Sequence, residues 1–178
     1  YVDQSTSMND NKWKLRREAD GFIDHLTALE LDWQLAVITA NDGCRNVQLT
    51  AASPNASASF QAAITGAHGN MTEHGLALLA SAADQGGWTQ CNEDMLRDDA
   101  RAIFVAISDE PDQSEESWND LALRMISRAG QGGIIAAIVG PVPDGCEDAD
   151  PGTGYVDAAA ATHGMTMNIC EDAWTGFL

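Results

Sequence analysis

The sequence predicts an α/β fold, a mostly parallel sheet with helices on both faces. Three observations carry that expectation. Two apolar runs, residues 102–107 and 134–139, are rich in Ile, Val and Ala and bounded by polar or glycine positions, as strands buried on both faces are. Other stretches repeat their apolar residues every three or four positions, the spacing of an amphipathic helix. Strand and helix signals alternate along the chain, which makes βαβ units, and right-handed crossovers then place helices on both sides of the sheet.

Taken in order, a short strand at Tyr1 and Val2 ends in Asp3, and a loop with Ser5 and Ser7 follows. Residues 12–29 form a helix with Trp13, Leu15, Ala19, Phe22, Ile23, Leu26 and Leu29 on its apolar face. Residues 32–39 read as a buried strand, Asn41, Asp42 and Gly43 as a turn, and residues 47–51 as an alternating edge strand compatible with antiparallel pairing. A short helix over 57–65, a Gly/Asn/His loop over 67–71 and a helix from Glu73 through Ala83 come next. Gly86 and Gly87 break that helix, and residues 88–94 form an irregular acidic insertion holding Cys91.

Strand 102–107 runs out into Ser108, Asp109, Glu110 and Pro111, and the acidic run 109–116 reads as a solvated face rather than a separate Ca²⁺ loop. Ser117 caps a helix over 118–129, and Gly132 and Gly133 lead into strand 134–139. A Pro/Gly/Asp loop over 141–154 contains Cys146, an Ala-rich helix over 155–162 stops at Gly164, and residues 165–169 make the last strand. A further helix starts near Trp174.

At 178 residues the chain is one domain with room for a substantial core. It opens inside a strand and closes inside a helix, so it is expected to be a single domain, residues 1–178, cut at both ends from a longer chain. Nine Lys and Arg against 27 acids give a net charge of −18, which argues against nucleic acid or an anionic membrane as partner. No apolar stretch is long enough to insert in a bilayer as a helix. Cys44, Cys91, Cys146 and Cys170 are widely spaced without a Cys-x-x-Cys pair, so two disulfides are expected, with three connectivities open, and an extracellular, cell-surface or periplasmic setting.

The candidate site starts at Asp3. One carboxylate and the hydroxyls of Ser5 and Ser7 at alternate positions are hard oxygen donors, the kind Mg²⁺, Mn²⁺ or Ca²⁺ takes. Asp109 stands likewise at the end of an apolar strand, and Thr72 lies at the mouth of a helix after a loop long enough to reach the same sheet edge. Two carboxylates balance a 2+ ion, and three hydroxyls and water complete an octahedral set. Glu73, His74 and Glu110 stand beside these residues as a possible rim. An enzyme is not expected: there is no Gly-x-Ser-x-Gly elbow and no general base placed beside Ser5. His25, His68, His74 and His163 show no zinc-ligand spacing.

Asp3-x-Ser5-x-Ser7, Thr72 ahead of residues 73–78, and the strand-ending run 108–114 resemble, in order and spacing, the metal-ion-dependent adhesion site of the von Willebrand factor type A domain. The run from Cys170 to Trp174, with Cys146 upstream, is similar to the secreted or lipoprotein bacterial branch of that family. The resemblance covers essentially the whole chain. It implies a doubly wound α/β fold with residues 47–51 as an antiparallel edge strand, and it implies that Asp3, Ser5, Ser7, Thr72 and Asp109 hold a divalent cation, Mg²⁺ before Mn²⁺ or Ca²⁺. It favours a Cys146–Cys170 disulfide, with Cys44–Cys91 as the remaining pair. Two positions depart from the family pattern: Thr6 replaces the usual Gly between the serines, and Glu110 replaces the Gly that commonly follows the acid.

The function expected from this resemblance is metal-dependent adhesion, capture of an Asp or Glu carboxylate on a partner protein. The alternative is a structural subunit of an extracellular surface assembly or filament, with a vestigial or merely stabilising metal site and contacts through helical faces or the 141–154 loop.

Overall fold

The computed structural model describes residues 1–65, 73–84 and 91–174, and Thr72, the 67–71 loop and the Gly86–Gly87 break fall outside them. The described residues form a mixed α/β arrangement: α1 (Asn9–Ala28), β1 (Gln34–Ile38), β2 (Arg45–Thr50), α2 (Ala56–Ile64), α3 (Gly75–Ala83), β3 (Ala102–Ile107), α4 (Trp118–Arg128), β4 (Gly133–Val139), α5 (Tyr155–Ala161) and β5 (Thr166–Asn168). β3, β4 and β5 form a parallel sheet in that order, with α4 and α5 as the crossovers. β1 and β2 form an antiparallel pair, with Leu35 opposite Leu49 and a register shift between Val37 and Ile38.

β4 shows why the parallel strands read as unbroken apolar runs. Ile135, Ala137 and Val139 pack with Leu76, Leu79, Leu121, Met125 and Tyr155, so one side is covered by α3, α4 and α5. Ile138 packs with Leu15, Ala19, Ile23, Phe60 and Ile64 on the other side, from α1 and α2. With apolar partners on both faces, no position along β4 favours a polar side chain.

The first three residues lie between the two sets of strands. Val2 N donates to Ile38 O of β1 at 3.0 Å, whereas Asp3 N donates to Ile107 O and Ile107 N to Tyr1 O, each at 3.0 Å. The strand expected at Tyr1 and Val2 is reduced to one parallel bridge between Val2 and Ile107, because the chain turns away at Asp3 to build the loop.

Local expectations change at α1 and at the end of α5. α1 starts at Asn9 rather than residue 12, because its first turn, Asn9–Asn11, carries no apolar signal. Its buried stripe is Asn11, Leu15, Ala19 and Ile23, and Trp13, two residues from both Asn11 and Leu15, projects from the opposite face and is 68% exposed. Leu29 lies past the last turn and is also exposed. At the end of α5 the left-handed residue is His163 (φ 57°), while Gly164 is needed for close approach, since a Cβ there would fall on the Ile135 carbonyl oxygen. Trp174 is buried, and the helix expected to start near it would run through residues 175–178, which lie outside the described residues.

Disulfides join Cys44 to Cys91 and Cys146 to Cys170. They close loops spanning 47 and 24 residues, each contributing about 3.5–4 kcal/mol in the chain-entropy picture. Among the described residues, no helix is long and apolar enough to cross a membrane.

Candidate functional site

The sheet delivers two acids to one place. Asp3 leaves the segment bonded to Ile107, and Asp109 stands two residues beyond Ile107 on the continuation of β3. Both are buried, Asp3 at 1% and Asp109 at 3% exposure. Asp150 N donates to Asp109 O at 2.9 Å, which ties the loop after β3 to the loop after β4.

The Asp3 carboxylate is held at both oxygens. Ser5 N donates to Oδ1 at 2.7 Å, closing the turn that brings the serines back, and the Ser108 hydroxyl donates to Oδ2 at 2.8 Å. Ser5 Oγ and Ser7 Oγ lie 3.0 Å apart, and the Ser7 hydroxyl favours the charged form of the Asp109 carboxyl. Asp3, Ser5, Ser7 and Ser108 are thus tied together by hydrogen bonds, and Asp109 follows Ser108 directly in the chain. Asp109 Oδ1 is buried without a hydrogen-bond partner among the described residues.

Glu73, expected at a rim, is 1% exposed and has an unpartnered Oε1. Its Oε2 accepts from Gln113 Nε2 at 2.8 Å, and the same amide nitrogen donates to Glu110 Oε2 at 3.0 Å. His74 Nδ1 lies 2.9 Å from Gln113 O, so its ring is fixed to the loop after β3.

Acidic side chains accumulate here. Burial pushes the Glu73 carboxyl up to about 7, and the charges of Asp3 and Glu110 push it the same way. Burial also raises Asp109, opposed by the Ser7 hydrogen bond and reinforced by the Asp3 charge. Among the described residues, no ion pair found engages Asp3, Glu73 or Asp109; Lys12, the nearest cation in sequence, donates to Ser5 O at 3.3 Å. Nor do three or more His, Cys, Asp and Glu side chains among the described residues gather closely enough to hold a metal by themselves. Any ion here would draw on the hydroxyls together with the two acids.

Several residues of this site were not assigned a role from sequence. Ser108 is fully buried and links Asp3 to the end of β3; a hydroxyl between an apolar strand and an acid was its only signal. The run 109–116 is not simply a solvated face. Asp112 Oδ1 accepts from Leu76 N at 3.0 Å, and Ser114 Oγ accepts from Ala77 N at 3.2 Å, so this loop caps the N-terminus of α3. Burial raises the Asp112 carboxyl, which these hydrogen bonds oppose.

No protein-family model matches this chain, and no curated protein matches it significantly.

Proposed function

We propose that this chain is a doubly wound domain of the von Willebrand factor A type that binds a divalent cation and uses it to capture a carboxylate on a partner protein outside the cytoplasm. The observation that carries the reading is the junction of Asp3 and Asp109: two buried acids beside the Ser5 and Ser7 hydroxyls, with Asp109 Oδ1 left without a partner among the described residues. Burying such charge is costly unless a cation compensates it. The donors are all hard oxygens, which suits Mg²⁺, with Mn²⁺ or Ca²⁺ as alternatives. The position of residues 1–3, bonded to β1 on one side and β3 on the other, supports the doubly wound arrangement with β2 as its antiparallel edge. The two disulfides support an oxidising compartment.

In this reading Asp3 and Asp109 neutralise the ion, and Ser5, Ser7 and Thr72 supply uncharged oxygens. The bound ion supplies electrostatic attraction for an incoming Asp or Glu side chain. No residue is placed as a nucleophile or general base, so binding rather than catalysis is the proposed activity.

Mn²⁺ titration followed by electron paramagnetic resonance tests this. Wild type is expected to bind one ion and to change its spectrum when an Asp-bearing peptide is added, whereas folded Asp3→Ala binds none. A wild type that takes up neither Mn²⁺, Mg²⁺ nor Ca²⁺ overturns the proposal.

One observation favours a second reading, a structural subunit of a surface assembly. Trp13 is 68% exposed, lies 5.1 Å from the Arg16 guanidinium, and with Lys14, Arg17 and Gln61 lines a shallow hollow of about 460 Å³ on α1. Exposed Trp and Arg are the residue types most often found at the centre of protein interfaces. Sedimentation with and without chelator separates the readings: self-association indifferent to chelation favours the assembly.

A further inference from the structure

The Ser108 hydroxyl joins the Asp3 carboxylate directly to the backbone of the loop carrying Asp109. Its oxygen lies 2.8 Å from Asp3 Oδ2, 3.2 Å from Glu110 O and 3.3 Å from Glu110 N. A hydroxyl has one proton, and the short contact to a carboxylate is the stronger of the two acceptors, so the proton goes to Asp3. The lone pairs are then free to accept from Glu110 N. One atom therefore fixes the orientation of Asp3 and, at the same time, the backbone just beyond Asp109.

With Oδ1 held by Ser5 N and Oδ2 by Ser108, the Asp3 carboxylate cannot rotate about its terminal bond without breaking one of two short hydrogen bonds. Its remaining lone pairs have fixed directions. Ser108 is fully buried, so water does not replace its hydroxyl.

We infer that Ser108 is a positioning residue for the cation site: it does not touch the ion but sets Asp3 and Asp109 in the relative geometry that binds it. This rests on the proposed cation-binding function. Hydrogen-bonding partners of metal ligands typically contribute 10- to 100-fold in metal affinity. The residue immediately before the second acid thus determines affinity, and any hydroxyl-bearing residue able to reach Asp3 preserves it.

The test is Mn²⁺ and Mg²⁺ titration calorimetry on intact wild type, Ser108→Ala and Ser108→Thr, each melted in chelator to confirm that it is folded. Ser108→Ala is expected to melt cooperatively and bind Mn²⁺ 10- to 100-fold more weakly, whereas Ser108→Thr keeps affinity within a few-fold of wild type. Equal affinity in wild type and Ser108→Ala overturns the inference while leaving the cation site standing. Comparable loss in both variants also overturns it, because the effect then follows packing and not the hydroxyl. Should Ser108→Ala fail to fold, Ser108→Cys, which keeps the size but is a far weaker donor, decides: affinity equal to wild type rejects the inference, and a tenfold or greater loss alongside retained affinity in Ser108→Thr supports it. Absence of binding to wild type removes the underlying function together with the inference.

Discussion

Asp109→Asn separates a cation site from a merely buried acid, because the two predict opposite changes in stability. In chelator, wild type carries a carboxyl group that is 3% exposed, has one oxygen unpartnered among the described residues and is pushed up in pKa by burial and by the charge of Asp3. Asn keeps the size and can still meet the Ser7 hydroxyl, but it removes the charge. The amide still leaves one polar atom unpartnered there, so the gain comes from the lost charge alone. An unsatisfied charged group costs more than a neutral one, and the variant should be more stable than wild type in chelator by about 1 kcal/mol or more. For a domain of 178 residues this raises Tm by a few degrees or more.

Cation reverses the order. At a hundredfold excess over Kd, binding to the native state adds about 2.7 kcal/mol, or about 5–11 °C, to wild type. Asp109→Asn, lacking one of two charged ligands, should gain little. The assay is differential scanning calorimetry of both proteins in chelator and in Mg²⁺, Mn²⁺ or Ca²⁺, and the expected signature is a crossing of the two melting temperatures. Equal upshifts in the two proteins, or a variant already less stable than wild type in chelator, would refute the argument that Asp109 is held there for a cation.

Glu73 makes metal-free stability depend on pH. Its folded pKa is raised from 4.5 to about 7, so its favourable contribution is complete below about 4.5 and is lost as pH rises through about 7. At 1.4 kcal/mol per unit the loss is at most roughly 3 kcal/mol, less to the extent that solvent screens the neighbouring charges. In chelator, Glu73→Gln should therefore melt above wild type at pH 8 and converge with it near pH 5; a constant difference across that range counts against the assignment. Replacing both Cys44 and Cys91 by Ser should cost about 4 kcal/mol and lower Tm by roughly 8–16 °C in a reversible melt, and an unchanged Tm would show that the bridge does not constrain the unfolded chain.

Much of the architecture is legible in local chemistry. β4 announces itself because both its faces are buried, β3 because it is apolar throughout although Ile103 is exposed, and α4 because Ser117 accepts from Asp120 N at its start. Asp3, Ser5, Ser7 and Asp109 are legible because hydroxyls and acids directly after apolar strands have few roles other than caps and ligands. The sequence by itself determined which stretches become strands and helices, since period and capping act over a few residues, and it determined that four cysteines and a strongly acidic chain suit an oxidising setting.

Only tertiary structure decided the rest. Trp13 fitted a helical stripe as well as Leu15 did, and the packing of α1 against α2 and the sheet chose between them. Glu73 is a rim residue by sequence neighbourhood, but the fold buries it against Gln113, 40 positions away. Ser108 reaches Asp3 across 105 positions of chain. Such pairings depend on which strand lies beside which, and that is set by the burial of both sheet faces at once, a global balance that no window of neighbouring residues contains.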